Sequence, residues 1–232
     1  MNRLSGPFFE PRAAVQARAV WPLGFAGGTL ALTAVLLLGT PQPAQASITL
    51  DADDALTSGL FNYTRRLNMR VGIARFGTIS NVTFDVTGAN VSPSPTAVIG
   101  EPSEGAAPAS APANSVRISV SNRWTYFAGQ RVIVTADSSA GLACSSGPCG
   151  STVIPFSKIS WTSSSLATGT YAGQDFGSGS FSGGTSQSLI DFTAPAERSF
   201  NIVNDWVFSY SNDTLYPAGV YRGRVTFTAT MP

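Results

Sequence analysis

The sequence predicts an all-β protein, an antiparallel β-sandwich of immunoglobulin-like or jelly-roll type, and three observations predict it. Apolar residues recur at every second position in one segment after another, the period of a strand half-buried on a core. Clusters of Gly, Ser, Asn and Pro separate these segments at short intervals. No segment carries the helical period of an amphipathic α-helix. Seven or more short strands joined by such turns are the signature of a two-layered β architecture.

The chain has 232 residues. Its opening reads as a secretory signal. Arg3, Arg12 and Arg18 lead into the apolar stretch 22–39, and a Pro-punctuated segment then ends in Ala44-Gln45-Ala46, the small-x-small pattern that a signal peptidase accepts. Residues 1–46 are expected to be a cleaved signal peptide and residues 47–232 a single exported β-sandwich domain. The apolar stretch is diluted by Gly and Thr, and its flank is a cleavage motif rather than a Lys/Arg cluster, so cleavage is expected over retention as an anchor. The expected location is secreted, extracellular or cell-surface. Once processed, the chain is not expected to be an integral membrane protein.

After the leader, Ile48 and Leu50 alternate with Thr49 and Asp51, but residues 60–79, with Arg65, Arg66, Arg70 and Arg75, resolve into no single element. Val82, Phe84 and Val86 alternate with Thr83 and Asp85, and Val116, Ile118 and Val120 with Arg117 and Ser119. Residues 131–136 form a β-branched run. Residues 153–161 form another segment, with Pro155 near its start, where a missing ladder donor suits an edge. A short run covers 188–192. Phe200, Ile202, Trp206, Phe208 and Tyr210 share one face, with Asn204 expected to mark a bulge. In the last segment Tyr221, Val225, Phe227, Ala229 and Met231 point one way, and Arg222, Arg224, Thr226, Thr228 and Thr230 the other.

Two segments break the pattern. Residues 89–114 hold five prolines (Pro93, Pro95, Pro102, Pro108, Pro112) among Ala, Ser and Gly, with Val98 and Ile99 the main apolar residues. So little apolar surface cannot offset the ordering entropy, and a mobile loop between two strands of one sandwich is expected. Residues 169–185 are Gly/Ser-rich and are likewise expected to be flexible.

Composition excludes whole classes of chemistry. There is no His, so no Ser-His-Asp or Cys-His nucleophile system and no imidazole ligand or proton shuttle. A net charge of +1 supplies no basic footprint for nucleic acid. Hydroxyls carry the polar surface, with 29 Ser and 22 Thr against charged residues at 12%. Cys144 and Cys149 enclose Ser-Ser-Gly-Pro, and outside a reducing compartment that spacing reads as a small disulfide-closed loop.

Candidate functional residues are few. Asp51, Asp53 and Asp54 offer oxygens to a cation but lack the twelve-residue loop of an EF-hand, and read as a solvated turn. Asp191 and Asp205 sit at the outward parity of surface residues, and no pair of carboxylates is brought together by sequence alone. No catalytic, cofactor or metal residue is assigned, and an enzyme is not expected. Aromatic residues in loops are the candidates for ligand or partner contacts: Trp124, Tyr126, Tyr171, Phe176 and Tyr216. The alternative, that such rings cap the sandwich core, applies to Trp124 and Trp161 above all.

The C-terminal string Tyr216-Pro-Ala-Gly-Val-Tyr-Arg-Gly-Arg-Val-Thr-Phe-Thr-Ala-Thr230, with residues 154–161 (Ile-Pro-Phe-Ser-Lys-Ile-Ser-Trp), resembles a closing part of secreted bacterial β-sandwich proteins. These are the WxL-type wall-associated domains, the spore-coat-U-like secreted pilins and, more loosely, the chaperone–usher pilins. A WxL signature proper is absent, and residues 47–53 are the sole candidate for a donor arm. The resemblance implies a non-enzymatic structural or adhesive protein of the cell surface. Its partners would be other surface proteins or cell-wall and extracellular glycan, with oligomers open. A carbohydrate-binding module using the loop aromatics is the alternative. Read without the resemblance, Tyr221 is expected to pin one end of the sandwich, and Gly223 to let a neighbouring strand approach closely.

Overall fold

The structure is a computed structural model that describes residues 44–54, 56–58, 64–72, 80–87, 90–103, 110–122, 131–167, 173–194 and 200–232. Four strands open it: β1 (Ala44–Asp54), β2 (Leu56–Ser58), β3 (Thr64–Val71) and β4 (Ser80–Val86). The Pro-rich excursion contributes β5 (Val98–Ile99) and β6 (Glu101–Pro102). Then follow β7 (Ser115–Asn122), β8 (Arg131–Asp137), β9 (Leu142–Ser146), β10 (Val153–Ile154) and β11 (Ile159–Ser164). The chain ends with β12 (Gly179–Ser180), β13 (Gln187–Thr193), β14 (Phe200–Tyr210) and β15 (Val220–Thr230).

The strands form two packed sheets, an all-β sandwich. One runs β10-β9-β15-β1-β4-β6. In it β8 and β9 follow each other along the same edge of β15, and β13 pairs outside β8. The other runs β12-β11-β14-β7-β3-β2, with β5 beside the end of β14. Among the described residues every pair is antiparallel except β1 with β15, which is parallel. A hairpin cannot join parallel neighbours, so this pair brings the two ends of the domain together through tertiary packing.

The alternation read from the sequence becomes the core. Val82, Phe84, Val116, Ile118, Val120, Val132 and Val134 are each at most 3% exposed. The last strand packs Tyr221, Val225, Phe227 and Ala229 inward and leaves Arg222, Arg224 and Thr230 outside. Each fully enclosed large apolar side chain stabilises the fold by about 1.5–3 kcal/mol. Trp161 stacks on Trp206 with centroids 4.3 Å apart and planes at 14°. At Pro155 the segment 153–161 breaks as expected of a residue without an N–H: β10 ends, a single 3-10 turn spans Phe156–Lys158, and β11 begins.

Five features differ from the sequence-based expectations. The first is the parallel pair itself. The second is the Pro-rich excursion, where residues 90–103 are fastened rather than loose. Ser94 N–H donates to the Asn212 carbonyl at 2.6 Å, Gly100 N–H to the Phe208 carbonyl at 2.9 Å, and Ser103 N–H to the Asn81 carbonyl at 2.8 Å. Val98 is buried, and backbone partners elsewhere in the fold supply what the segment's composition lacks. The residues 104–109 fall outside those described.

Third, Asn204 marks no bulge, because β14 pairs with β7 in unbroken register from Phe200–Asn122 to Val207–Ser115. Its amide is wholly buried and fully used. Oδ1 accepts from Phe176 N–H at 3.0 Å, and Nδ2 donates to Asp175 Oδ1 at 3.0 Å and to the Ser164 carbonyl at 3.3 Å. Fourth, Asp205 is not a surface residue. It is 0% exposed, because residues 164–165 cross over it. Fifth, the part of the Gly/Ser-rich segment that is described, 173–185, is pinned. The indole N–H of Trp161 donates to the Gly177 carbonyl at 2.7 Å and that of Trp206 to the Phe176 carbonyl at 3.3 Å. Phe181 enters between the sheets, 6.2 Å from Phe208 on one and 6.4 Å from Phe227 on the other.

Gly223 behaves as expected. A Cβ there would overlap the Gly141 carbonyl oxygen and lie 2.7 Å from the Phe156 ring. Only a residue without a side chain lets β15 pass that close.

Candidate functional site

Two places in the fold combine exposure, geometry and chemistry: the slot filled by β1, and a cavity beside its first residues. The expected cleavage point, after Ala46, falls within β1, while residues 1–43 lie outside those described. β1 is an inner strand. It pairs with β15 from Gln45–Val220 to Asp54–Ala229, and with β4 from Ala44–Val86 to Leu50–Ser80. Ala46, Ile48 and Leu50 face the core at 3%, 0% and 0% exposure. A strand bonded on both edges and apolar on one face is held by ladder and burial together. Without β1, the facing edges of β15 and β4 would stand open, and open edges recruit other strands.

The cavity has a volume of about 740 Å³. It is lined by Ala44–Ala46, by Val86, Thr87 and Val91, by Asn212 and Thr214–Ala218, and by Ile154, Tyr210 and Tyr221. Carbon dominates the wall, and none of these side chains is charged. Three of its polar side chains have hydrogen-bond partners. Tyr221 Oη donates to the Pro217 carbonyl at 2.7 Å, which pins this end of the sandwich as expected from the sequence. Asn212 Nδ2 donates to the carbonyls of Asn90 and Ser92 at 3.0 and 3.1 Å. Thr214 Oγ1 bonds Asp213 Oδ1 at 2.8 Å and accepts from Lys158 Nζ at 3.2 Å.

Outside the cavity, Lys158 Nζ bonds Asp213 Oδ1 at 2.6 Å and holds the 211–216 turn to the 3-10 turn. That bond, with those from Thr214 and Ser211, pushes the Asp213 carboxyl down to about 2. Tyr210 is pushed up to about 12, first by burial and then by the negative potential of Tyr216, Asp213 and Tyr221. At neutral pH it is therefore a protonated phenol.

A second polar cluster lies under residues 164–165. Arg117 grips Asp205 in a bidentate pair, Nε to Oδ1 at 2.8 Å and Nη2 to Oδ2 at 2.9 Å, and Ser165 Oγ bonds Oδ2 at 2.5 Å. The hydrogen bond from Arg117 leads in holding the Asp205 carboxyl below its usual range, against the opposing effect of burial, with Ser165 helping. With every oxygen engaged, this carboxylate acts as a tie between β7, β14 and the end of β11. Asp191, the other outward carboxylate, pairs with Arg131 at the surface. Cys144 and Cys149 form the disulfide expected from their spacing.

The expected contact residues separate sharply. Trp124, Tyr126 and Tyr171 lie outside the described residues. Phe176 is 0% exposed and packs edge-on against Trp206, so its ring is enclosed in the core and faces no ligand. Tyr216 does line the cavity. The side chains of Asp51, Asp53 and Asp54 fall outside the description. Tyr210, Val91 and Leu215 are among the cavity residues that the sequence left unmarked. Tyr210 read as one more core position of β14, and nothing local showed that the 90–91 and 212–218 segments converge on it.

No protein-family model matches the chain, and no curated protein matches it. Among the described residues no helix is long and apolar enough to cross a membrane, and no three His, Cys, Asp or Glu side chains converge as a metal site.

Proposed function

We propose that this chain is an exported, non-enzymatic structural or adhesive protein of the bacterial cell surface, pilin-like in using its first strand to join copies. The observation that carries the reading is the position of β1. A strand at the start of the described body fills an inner place in a sheet, parallel to the last strand, and supplies to the core Ile48 and Leu50, both beyond the expected cleavage point. The same slot in one copy fits the same strand from another, because the residues on both sides are identical. An exchange of that kind conserves the contacts of the strand, and its cost is the association entropy and the ordering of the connecting segment. The resemblance of residues 216–230 to the closing strand of secreted pilin-like proteins supports the same reading. The predominance of Thr and Ser on outward positions suits a long-lived solvated surface.

A cross-link tests it. Ser47 and Arg222 are register partners across β1 and β15. With Ser47→Cys and Arg222→Cys in the same chain, a short bis-maleimide bridges them within one molecule if β1 stays at home. It bridges neighbours if β1 is exchanged. A ladder of covalent multimers from surface-associated protein, with filaments or large assemblies by electron microscopy, is the expected result. A single monomer band with monomeric mass in solution refutes the reading.

A further inference from the structure

The cavity beside the first residues of β1 has a volume of about 740 Å³, within the range of roughly 300–1,000 Å³ usual for small-molecule sites. Its mouth carries two of the large apolar side chains that the fold leaves in water, Val91 at 56% and Leu215 at 69% exposure. Exposed apolar groups gathered at the rim of an apolar cavity mark a binding site more than scattered ones do.

Tyr210 supplies the second, independent observation. It is 3% exposed and lines the cavity, yet its hydroxyl has no hydrogen-bond partner among the described residues. The hydroxyls enclosed without a partner, among the described residues, are those of Ser115 and Ser163. The Tyr210 hydroxyl is not among them, so it opens onto the cavity. A buried phenol without a partner is costly, and such groups are regularly answered by water or by a ligand. Tyr221, Asn212 and Thr214 do not answer it, since their polar groups are engaged elsewhere.

Charge narrows the ligand. No lining side chain is cationic, and Lys158 near the rim is held by Asp213. An anionic head group would lose its hydration without meeting a counter-charge, and Asp213 would repel it. We infer that the cavity binds a neutral amphiphile, a hydrocarbon body carrying one hydroxyl or carbonyl that hydrogen-bonds Tyr210. The apolar wall takes the body and the phenol orients the polar group. A sugar, with hydroxyls on every side, would leave most of them unpaired against this wall. This inference depends neither on β1 exchange nor on Ala44–Ala46, which cleavage after Ala46 would remove, because Tyr210, Val91 and Leu215 lie outside β1.

The test uses the full chain and the neutral fluorescent probe N-phenyl-1-naphthylamine at pH 8, displaced by 1-decanol or by decanoate. Saturable probe binding is expected, with decanol displacing it at least tenfold better than decanoate. Tyr210→Phe removes only the hydroxyl and should weaken decanol about fivefold while leaving the probe within twofold. Leu215→Asp, at a position mostly in water, should weaken both at least tenfold without loss of the β-type circular-dichroism spectrum. Three results would overturn the inference. They are no saturable probe binding, equal displacement by decanoate, and binding unchanged by Leu215→Asp, which would place the probe elsewhere on the chain.

Discussion

The Arg117–Asp205 pair offers the sharpest test of the energetics, because its two halves are buried so unequally. The side chain of Asp205 is 1% exposed and that of Arg117 is 33% exposed. Replacing Arg117 with Met leaves an enclosed carboxylate with Ser165 alone. Breaking a buried pair in that direction costs about 3–5 kcal/mol. Replacing Asp205 with Asn leaves the partly exposed guanidinium free to reach water and keeps a hydrogen bond to Ser165. The loss is then that of charge-assisted bonding, about 1–2 kcal/mol. Arg117→Met should therefore be the worse variant by roughly 2 kcal/mol, and adding Asp205→Asn to it should restore part of that difference.

Urea unfolding followed by tryptophan fluorescence reads these differences, since Trp161 and Trp206 stack in the core. The pH dependence supplies a second check. The Asp205 carboxyl titrates lower in the folded than in the unfolded chain, so its contribution is present above about pH 4, the unfolded value. It is lost as pH falls through the folded value. The gap between the parent protein and Asp205→Asn should accordingly close on acidification below about pH 4. Equal losses for the two single variants, or a greater loss for Asp205→Asn, would refute the reasoning.

Three further outcomes are expected. Gly223→Ala drives a methyl into the Gly141 carbonyl and the Phe156 ring and should destabilise by about 3 kcal/mol, the upper end for overpacking against backbone. Gly150→Ala, at φ 58° with nothing within 4 Å, should cost only the left-handed strain of about 1–2 kcal/mol; matching denaturation midpoints for the two would count against the close approach of β15. The Cys144–Cys149 bridge closes only a short loop, so chemical denaturation after its reduction should register a loss of about 2 kcal/mol with the β-spectrum intact. Carbon-detected NMR titration should place the Asp213 carboxyl midpoint at about 2. Lys158→Met should raise it towards the ordinary carboxylate range, and an unshifted midpoint in that variant would break the assigned tie.

Much of the sandwich was legible because alternation is a local property. Val82, Phe84 and Val86 declare a half-buried strand whatever they pair with, and the same holds for residues 116–120 and 221–231. Other elements were invisible for physical reasons. Leu67, Met69 and Val71 alternate too, but the arginines around them carry no strand signature of their own. The segments 90–103 and 173–185 lack apolar surface, so composition reads them as loose. They are held instead by partners far along the chain, the Asn212 carbonyl and the Phe208 carbonyl for one and two indole N–H groups for the other. Asp205 obeys surface parity and is buried all the same, because the outer face of β14 is covered just there.

The candidate site divides in the same way. Tyr216 was marked by its place in an exposed turn, and it does line the cavity. Phe176 was marked by the same logic and is enclosed instead, because Asn204 and Trp206 draw its backbone inward. By itself the sequence determined the β class, the inward faces of the principal strands, the disulfide partners and the close approach at Gly223, all of which depend on neighbours in sequence or on the size of one side chain. Tertiary structure alone decided that β1 lies parallel to β15, that a carbon-walled cavity opens beside it, and that the Tyr210 hydroxyl is left facing that space. Each depends on segments more than a hundred residues apart meeting at one end of the sandwich, and no local period or spacing encodes such a meeting.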